Sequence, residues 1–253
     1  MTFSLTPETP PGIVLTHAMV LAAGLGTRMR PLTESVPKPL LPLAGRTLLD
    51  HALDRVADAG IGQAVVNAHW LAEQVVAACA ARTRPQVTVL TETGLLETGG
   101  GVAAALPHLG EDPFAVVNGD AFWLDGPRPA LARLAQAFDP ESMDVLLLLI
   151  RAATVEGEVG RGDFFLDPLG HPRRPLEREI APYLFGGVQI LSPAAFEGAP
   201  AGAFSLNRIY DAAIEAGRCF ALVHDGAWFH LSTPADLQQA GQALADGLPR
   251  RLF

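Results

Sequence analysis

An apolar run that breaks into a loop rich in glycine and arginine limits this chain's fold more than any other stretch. Residues 18–23 predict a buried strand, and the next residues include Gly24, Gly26 and Arg28. Glycine permits positive φ and lets the backbone approach a ligand closely. The N–H groups of such a loop can converge on phosphate oxygens, to which an arginine adds forked donors. The stretch therefore predicts a phosphate-binding loop at the end of a strand.

A lysine follows this loop at a position that the rest of the chain makes conspicuous. Lys38 stands between Pro37 and Pro39 and is the only lysine, since every other basic side chain is arginine. This usage indicates a site that needs a compact ammonium group rather than a guanidinium fork. Two other phosphate loops are excluded. The dinucleotide fingerprint needs glycine where Met29 stands, and the Walker pattern needs a Gly-Lys-Ser/Thr triplet that the sequence lacks.

Strand and helix patterns alternate along the rest of the chain. Apolar periodicity predicts helices over 47–59, 70–82, 130–138 and 206–216, and strands over 64–67, 86–90, 114–117, 144–150, 184–191 and 219–223. Such alternation is typical of an α/β domain with a mostly parallel sheet covered by helices on both faces. Neither a linker nor a repeat interrupts the pattern, so we expect a single domain over 18–253 after a flexible tail at 1–17.

Composition narrows the classes of partner and the compartment. The net charge of −9 argues against nucleic-acid binding, which needs a basic face, while small anionic ligands remain compatible with it. No apolar run is long enough to span a membrane, and residues 1–17 lack the features of a secretory signal. The two cysteines have neither metal nor redox spacing. We therefore expect a cytoplasmic protein that acts on small molecules and does not bind a membrane.

Two later strand ends also have features of a binding site. The glycine-rich loop 92–101 leaves one strand and enters a helix, which is where open α/β sheets bind ligands. The Glu92 carboxylate in this loop can accept a hydrogen bond from an N–H group of a ligand. Another strand ends at Asn118-Gly119-Asp120, where an aspartate is well placed to hold Mg²⁺. Taken alone, the glycines also fit a surface loop and Asp120 a turn residue.

The segments L-A-A-G-L-G-T-R-M-R-P-L-T and P-K-P-L-L-P-L-A-G resemble the signature of the sugar-1-phosphate nucleotidyltransferases. Weaker matches extend the resemblance over nearly all of the chain after residue 17. It implies a Rossmann-like, three-layer α/β/α domain with a mostly parallel, mixed sheet. It further implies a nucleotide-binding half over 18–125 and a sugar-phosphate-binding half over 126–253. Such enzymes join a nucleoside triphosphate and a sugar 1-phosphate into a nucleotide sugar and release pyrophosphate.

The resemblance assigns roles to individual positions. It implies catalysis by Lys38, Arg28 and Asp120, with Mg²⁺ (or Mn²⁺) on Asp120. It implies nucleotide binding by Leu21, Ala22, Ala23, Gly24, Gly26, Thr27, Arg28, Glu92, Glu97, Thr98 and Gly99. For the sugar phosphate it implies Asn118, Asp163 and Gly187, although the last two equally fit a strand start and a packing glycine.

One segment departs from the family pattern. The family usually reads W-x-D-x-G-T-P where this chain reads W-F-H-L-S-T-P, so His230 stands at the position of the second metal-ligand aspartate. Three alternatives stay open. In the first, Mg²⁺ is held by Asp120, phosphates and water, with His230 only nearby. In the second, a softer metal such as Mn²⁺ binds both side chains. In the third, His230 merely hydrogen-bonds Asp120 or the phosphate.

Within the family, L-E-T-G-G-G, V-N-G-D and R-G-D-F look most like the N-acetylmuramate 1-phosphate uridylyltransferases of peptidoglycan recycling. We therefore expect UTP and N-acetylmuramic acid 1-phosphate as substrates. Two alternatives are a mannose-1-phosphate guanylyltransferase that uses GTP and a nucleotide-sugar sensor that binds without turnover. The His230 departure motivates the sensor. Lys38, Arg28 and Asp120 argue against it, because a sensor needs no residue aimed at a reacting phosphate.

Overall fold

The computed structural model describes residues 12–155 and 160–247. The helices are α1 (Leu48–Asp58), α2 (Ala72–Ala80), α3 (Glu97–Ala105), α4 (Ala130–Ala137), α5 (Asn207–Glu215) and α6 (Pro234–Ala245). The strands are β1 (His17–Leu21), β2 (Pro42–Leu43), β3 (Arg46–Thr47), β4 (Gln63–Ala68), β5 (Gln86–Thr91), β6 (Phe114–Asn118), β7 (Phe122–Leu124), β8 (Val145–Arg151), β9 (Phe165–Leu166), β10 (Pro172–Arg173), β11 (Tyr183–Leu191), β12 (Cys219–Val223) and β13 (Ala227–Phe229).

A seven-stranded sheet forms the centre of the molecule, in the order β12-β8-β11-β6-β1-β4-β5. All neighbouring pairs are parallel except those of β11, which runs antiparallel to both β6 and β8. The predicted mixed, mostly parallel sheet is therefore confirmed. Because β11 joins β6 to β8, it connects the two halves of the chain in one sheet.

Helices cover both faces of this sheet, because successive strand residues point to opposite sides. Val66 and Val117 face one cluster of buried side chains, which includes residues of α1, α2 and α4. Their neighbours Val65 and Val116 face a second cluster, which includes residues of α3 and α5. A third, smaller cluster packs α6 against the segments around β2 and β7. The fold thus has the three layers that the resemblance implies.

Local signals explain where several helices begin. The side chain of Thr47 accepts a hydrogen bond from the N–H of Asp50 at 3.0 Å, so α1 starts directly after Thr47. Thr233 and Asp236 form a capping box at the start of α6. The predicted helix over 70–82 begins later than expected, at Ala72, because Leu71 adopts the left-handed region with φ 52°.

The start of the domain differs from the sequence-based expectation. Residues 1–11 lie outside the described part of the chain. Within it, the N–H of Ile13 donates to the carbonyl of Ala135 at 2.8 Å, Leu15 is buried, and β1 begins at His17. Ile13 and Leu15 of the predicted tail therefore contact the domain, so the packed part of the chain begins before residue 18. No helix in the described ranges is long and apolar enough to cross a membrane.

Candidate active site

The carboxyl ends of β1 and β6 open into a cleft with a volume of about 480 Å³. These two strands are parallel neighbours, and Leu21 at the end of one is in register with Asn118 at the end of the other. Ligands bind at such strand ends in open α/β sheets. The cleft is lined by Leu21, Ala22, Ala23, Gly24, Gly26, Thr27, Arg28, Met29, Lys38, Pro39, Leu95, Glu97, Thr98, Asn118, Asp120, Ser205 and Ser232.

Residues 22–28, here called the phosphate loop, form one wall of this cleft. Gly26 has φ 60°, and a Cβ there would lie 3.0 Å from both the Cβ of Lys38 and the Cγ2 of Thr33. The hydroxyl of Thr33 donates to the carbonyl of Gly26 at 2.8 Å. Glycine is therefore needed for both its positive φ and its close approach, which brings the loop against the segment that carries Lys38.

A lysine and an aspartate 82 residues apart in sequence meet in this cleft. The Nζ of Lys38 lies 2.6 Å from the Oδ2 of Asp120, and the two side chains are 12% and 38% exposed. Asp120 is held near the end of β1 because the N–H of Gly119 donates to the carbonyl of Leu21 at 2.8 Å. A Cβ at Gly119 would lie 2.8 Å from that carbonyl oxygen, so only glycine permits this turn. The pair offers an ammonium group for a phosphate and a carboxylate for a cation.

Residues 92–98, here called the base loop, form the facing wall through Leu95, Glu97 and Thr98. Glu97 has φ 58°, a strained conformation for a residue with a side chain. Such strain is concentrated at functional sites. The hydroxyl of Thr98 accepts a hydrogen bond from the N–H of Leu206 at 2.9 Å, which fixes the loop to the second half of the chain.

The structure does not bring Glu92 and Gly99, for which nucleotide binding was predicted, into the cleft lining. Asn67 donates to the Oε1 of Glu92 at 2.7 Å, and the N–H of Leu96 donates to its Oε2 at 3.1 Å. The N–H of Gly99 donates to the carbonyl of Phe204 at 2.8 Å, and a Cβ at Gly99 would overlap the Phe204 ring. The Glu92 carboxylate and the Gly99 N–H are therefore both bonded to other parts of the protein.

Comparisons with known proteins place this geometry in a family. The profile of the MobA-like NTP transferase domain matches residues 18–178. The N-acetylmuramate alpha-1-phosphate uridylyltransferase of Caulobacter vibrioides is 41% identical over 234 residues, which cover 90% of this chain and 97% of that protein. The protein of the same name from Neisseria meningitidis is 37% identical over 232 residues and covered to the same extent. The chain belongs to the sugar-1-phosphate nucleotidyltransferase family.

Other members of the sugar-1-phosphate nucleotidyltransferase family are more distant. The mannose-1-phosphate guanylyltransferase of Mycobacterium tuberculosis is 31% identical over 91% of this chain, which spans 65% of that protein. A crystal structure of UDP-glucose pyrophosphorylase complexed with UDP-glucose has a TM-score of 0.79 at 16% identity, over 92% of this chain and 99% of that one. At that identity the likeness confirms the fold.

The family resemblance implies that Asn118, Asp163 and Gly187 bind the sugar phosphate. Of these three residues, the structure brings only Asn118 into the cleft lining. The Oδ2 of Asp163 accepts a hydrogen bond from the N–H of Phe185 at 2.8 Å, so this carboxylate fixes the start of β11. Gly187 has φ 74°, and a Cβ there would lie 3.0 Å from the Nδ2 of Asn118. Gly187 therefore supports Asn118 from behind, as a packing glycine in an irregular part of β11.

The segment that departs from the family pattern reaches the cleft through Ser232 rather than His230. β13 pairs with β7, which follows Asp120 closely, and the His230 ring lies 5.9 Å from the Trp228 ring. Within residues 12–155 and 160–247, no group of three or more His, Cys, Asp or Glu side chains is arranged to hold a metal. The contact observed for Asp120 is Lys38, and the structure does not place His230 in the lining with it.

Sequence reasoning missed several residues of the site and its support. Leu95, Ser205 and Ser232 line the cleft. Leu95 and Ser232 lie in segments that the sequence analysis singled out but were not named as site residues, and Ser205 lies in none of them. The hydroxyl of Ser232 is buried without a hydrogen-bond partner in the described part of the chain.

His224 follows β12, and its Nε2 forms a hydrogen bond with the carbonyl of Leu124 at 3.1 Å. Burial lowers the pKa of this imidazole below its ordinary value. Asn67, which the sequence analysis also missed, joins the two cleft walls.

Proposed function

We propose that this family member transfers a uridylyl group from UTP to N-acetylmuramic acid 1-phosphate, forming a UDP-sugar and pyrophosphate. The two uridylyltransferases that are 41% and 37% identical support the substrate pair, since this chain spans 97% of each. The observation that carries the chemistry is the 2.6 Å pair of Lys38 and Asp120, which lies beside the phosphate loop in the cleft. A site that only bound nucleotide would not need this combination.

The reaction requires positioning and charge neutralisation rather than a protein nucleophile. An oxygen of the sugar phosphate attacks the α-phosphorus of UTP in line, and the bond from that phosphorus to the pyrophosphate oxygen breaks. Arg28 and the N–H groups of the phosphate loop are available for the β- and γ-phosphates, since Arg28 is exposed and lines the cleft. Lys38 is placed for the α-phosphate, where charge shifts in the transition state.

We propose Mg²⁺ as the cofactor, held by Asp120. The donor set fits, because Mg²⁺ in nucleotide sites is usually held by one or two carboxylates together with substrate phosphates and water. The Asp120 side chain is 38% exposed and lines the cleft, so an oxygen is accessible. When bound, the ion supplies positive charge to the phosphates. Lys38, which contacts the same carboxylate, would supply a second positive group.

A second candidate substrate pair is GTP with mannose 1-phosphate. The 31% identity with the guanylyltransferase of Mycobacterium tuberculosis favours it, over a shorter share of that protein. Uracil and guanine each present ring N–H donors, and the wall lined by Leu95, Glu97 and Thr98 would face either base. The uridylyl assignment is therefore supported by the more similar relatives rather than by base chemistry.

A cytoplasmic location is part of the same proposal. Cys79 and Cys219 are buried free thiols, and burial raises the pKa of the first to about 11 and of the second to about 12. Unreactive free thiols are common in reducing compartments. The net charge of −9 supports small anionic substrates held by local positive groups, rather than a nucleic acid.

The test is a pyrophosphate-release screen that crosses four nucleoside triphosphates with N-acetylmuramic acid, mannose and glucose 1-phosphates. We expect the highest kcat/KM for UTP with N-acetylmuramic acid 1-phosphate. Faster turnover of GTP with mannose 1-phosphate would replace the uridylyl assignment by the guanylyl one. Nucleotide binding without pyrophosphate release in any combination would identify a sensor. The Lys38→Ala variant provides the background rate.

A further inference from the structure

We propose that Asn67 and Glu92 form a positioning pair that sets the spacing between the phosphate loop and the base loop. Neither side chain lines the cleft, so neither is a catalytic residue. The inference rests on the proposed function only in taking a nucleoside triphosphate as the ligand of these two loops.

Hydrogen bonds form one unbroken path between the two walls of the cleft. The N–H of Ala22 in the phosphate loop donates to the Oδ1 of Asn67 at 2.8 Å. The Nδ2 of Asn67 donates to the Oε1 of Glu92 at 2.7 Å. The N–H of Leu96 in the base loop donates to the Oε2 of Glu92 at 3.1 Å. Ala22 lines the cleft, as do both neighbours of Leu96, so the path fixes residues that face the ligand.

The polarity of this path is determined at both ends. A backbone N–H can only donate, so Ala22 requires an acceptor from Asn67 and Leu96 requires an acceptor from Glu92. The remaining contact then needs one donor and one acceptor, which the Asn67 amide and the Glu92 carboxylate provide. If both positions carried amides, two donors would face each other between positions 67 and 92. If both carried carboxylates, two acceptors would face each other there.

Burial makes these bonds consequential. Asn67 is 3% exposed and Glu92 is 9% exposed, so a missing partner is not replaced by bulk water. Helix α3 closes the site, since a Cβ at Gly101 would lie 2.7 Å from the Nδ2 of Asn67 and 3.1 Å from the Oε1 of Glu92. The backbone of Glu92 is also held, because its N–H donates to the carbonyl of Ala68 at 2.8 Å and its carbonyl bonds the His69 ring at 3.0 Å.

The spacing of the two loops should affect the binding of the nucleotide rather than that of the sugar 1-phosphate. One wall is proposed to hold the phosphates of a nucleoside triphosphate and the other its base, so their spacing must match the length of the nucleotide. A change in that spacing weakens UTP binding and its preference over other triphosphates. It leaves the KM of the sugar 1-phosphate nearly unchanged.

The structure permits an exchange experiment. Glu92→Gln places two amides in contact, and Asn67→Asp places two carboxylates in contact. The double variant restores the pattern, because the carboxylate at position 67 accepts from Ala22, while the amide at position 92 donates to that carboxylate and accepts from Leu96. Each single variant should weaken UTP binding by roughly 10- to 100-fold, as expected for a buried polar group left without a partner. The double variant should return to within about threefold of wild type.

The measurements are UTP affinity by titration, the ratio of UTP to GTP affinity, the KM values where turnover occurs, and the melting temperature. Tyr210→Phe is the matched control, because Tyr210 is 4% exposed and packs in the cluster that includes α5. It should change the melting temperature without changing UTP affinity. Recovery of UTP affinity and base preference in the double variant supports the pair, even if a single variant fails to fold.

Two results would overturn the proposal. One is a folded double variant whose UTP affinity is no better than that of the weaker single variant. The other is single variants that lose melting temperature but keep wild-type UTP affinity and base preference, which would show a structural role alone. Because affinity is measured without turnover, a wild-type protein that binds UTP but releases no pyrophosphate refutes the proposed function and leaves this test intact.

Discussion

Replacing Lys38 by alanine should affect catalysis far more than stability. The structure gives this side chain a large role in the proposed reaction and a small one in the free energy of unfolding. Its ammonium group is 2.6 Å from Asp120 in the cleft, where we place the reacting phosphate. Loss of one preorganised donor of this kind costs about 10²–10³ in kcat, which is roughly 2.7–4 kcal/mol of transition-state stabilisation. UTP binding should weaken less, because we place Lys38 where negative charge shifts between the phosphates in the transition state.

The cost in stability should be small by comparison. The side chains of the pair are 12% and 38% exposed, so solvent screens their interaction. An ion pair of this exposure contributes about 0–1 kcal/mol to the free energy of unfolding. For a domain of this size that corresponds to a change in melting temperature of no more than about 4 °C. We therefore expect a folded variant with almost no turnover.

The assay is steady-state pyrophosphate release with UTP varied, together with thermal unfolding of the same samples. Arg46→Ala is the matched control, because Arg46 also forms an ion pair, with Asp54, but is 51% exposed and not part of the cleft lining. It should keep kcat within about twofold of wild type, as is usual for surface substitutions. A kcat for Lys38→Ala within a few-fold of wild type would refute the role of this lysine.

Three further expectations follow from single contacts. Asp120→Asn should abolish turnover with Mg²⁺ or Mn²⁺. His230→Ala should keep the wild-type dependence of rate on metal concentration, because His230 is not part of the cleft lining. If the His230→Ala variant needed more metal than wild type, His230 would be a metal ligand. Burial lowers the pKa of His224 in the folded state, so unfolding takes up protons and stability should fall as pH drops below about 6.5. His224→Gln should flatten that part of a plot of unfolding free energy against pH, and an unchanged slope would contradict it. Gly99→Ala should lower the free energy of unfolding by about 1–3 kcal/mol, because the added Cβ overlaps Phe204. Gly24→Ala should not, because a Cβ at Gly24 meets open space. Thermal unfolding of both variants checks this, and equal melting temperatures would show that Phe204 moves aside.

Periodicity predicted most of the fold, since buried strands such as β8 and amphipathic helices such as α1 have local signatures. The direction of β11 was not predictable in the same way, because an apolar strand looks alike whichever way it runs. The start of α2 was missed because the positive φ of Leu71 has no side-chain signal. The segment before β1 was taken for a tail because two contacts, at Ile13 and Leu15, are formed with distant parts of the chain.

The site shows the same division between local and distant information. The phosphate loop and Lys38 were identified because glycine, arginine and lysine stand close together in sequence. The resemblance assigned Glu92 to nucleotide binding, whereas in the structure its carboxylate accepts hydrogen bonds from Asn67 and Leu96. Three consecutive glycines suggested a loop open to ligand, whereas a Cβ at any of them would meet another part of the protein: Phe204, the carbonyl of Gly202 or Asn67. Contacts across such distances leave no pattern in a single sequence.

The antiparallel strand β11 also determines when the protein can complete its sheet during synthesis. β1, β4, β5 and β6 can pair once residue 118 has been made, but the free edge of β6 is covered only when β11, ending at Leu191, is available. At ordinary translation speeds those 73 residues (191 − 118) take roughly 4 to 15 seconds. During that interval an apolar strand edge is open to other nascent chains, and the buried residues of β8 have no strand beside them. Ribosome-bound chains of this protein are therefore most exposed to aggregation in the middle of their synthesis.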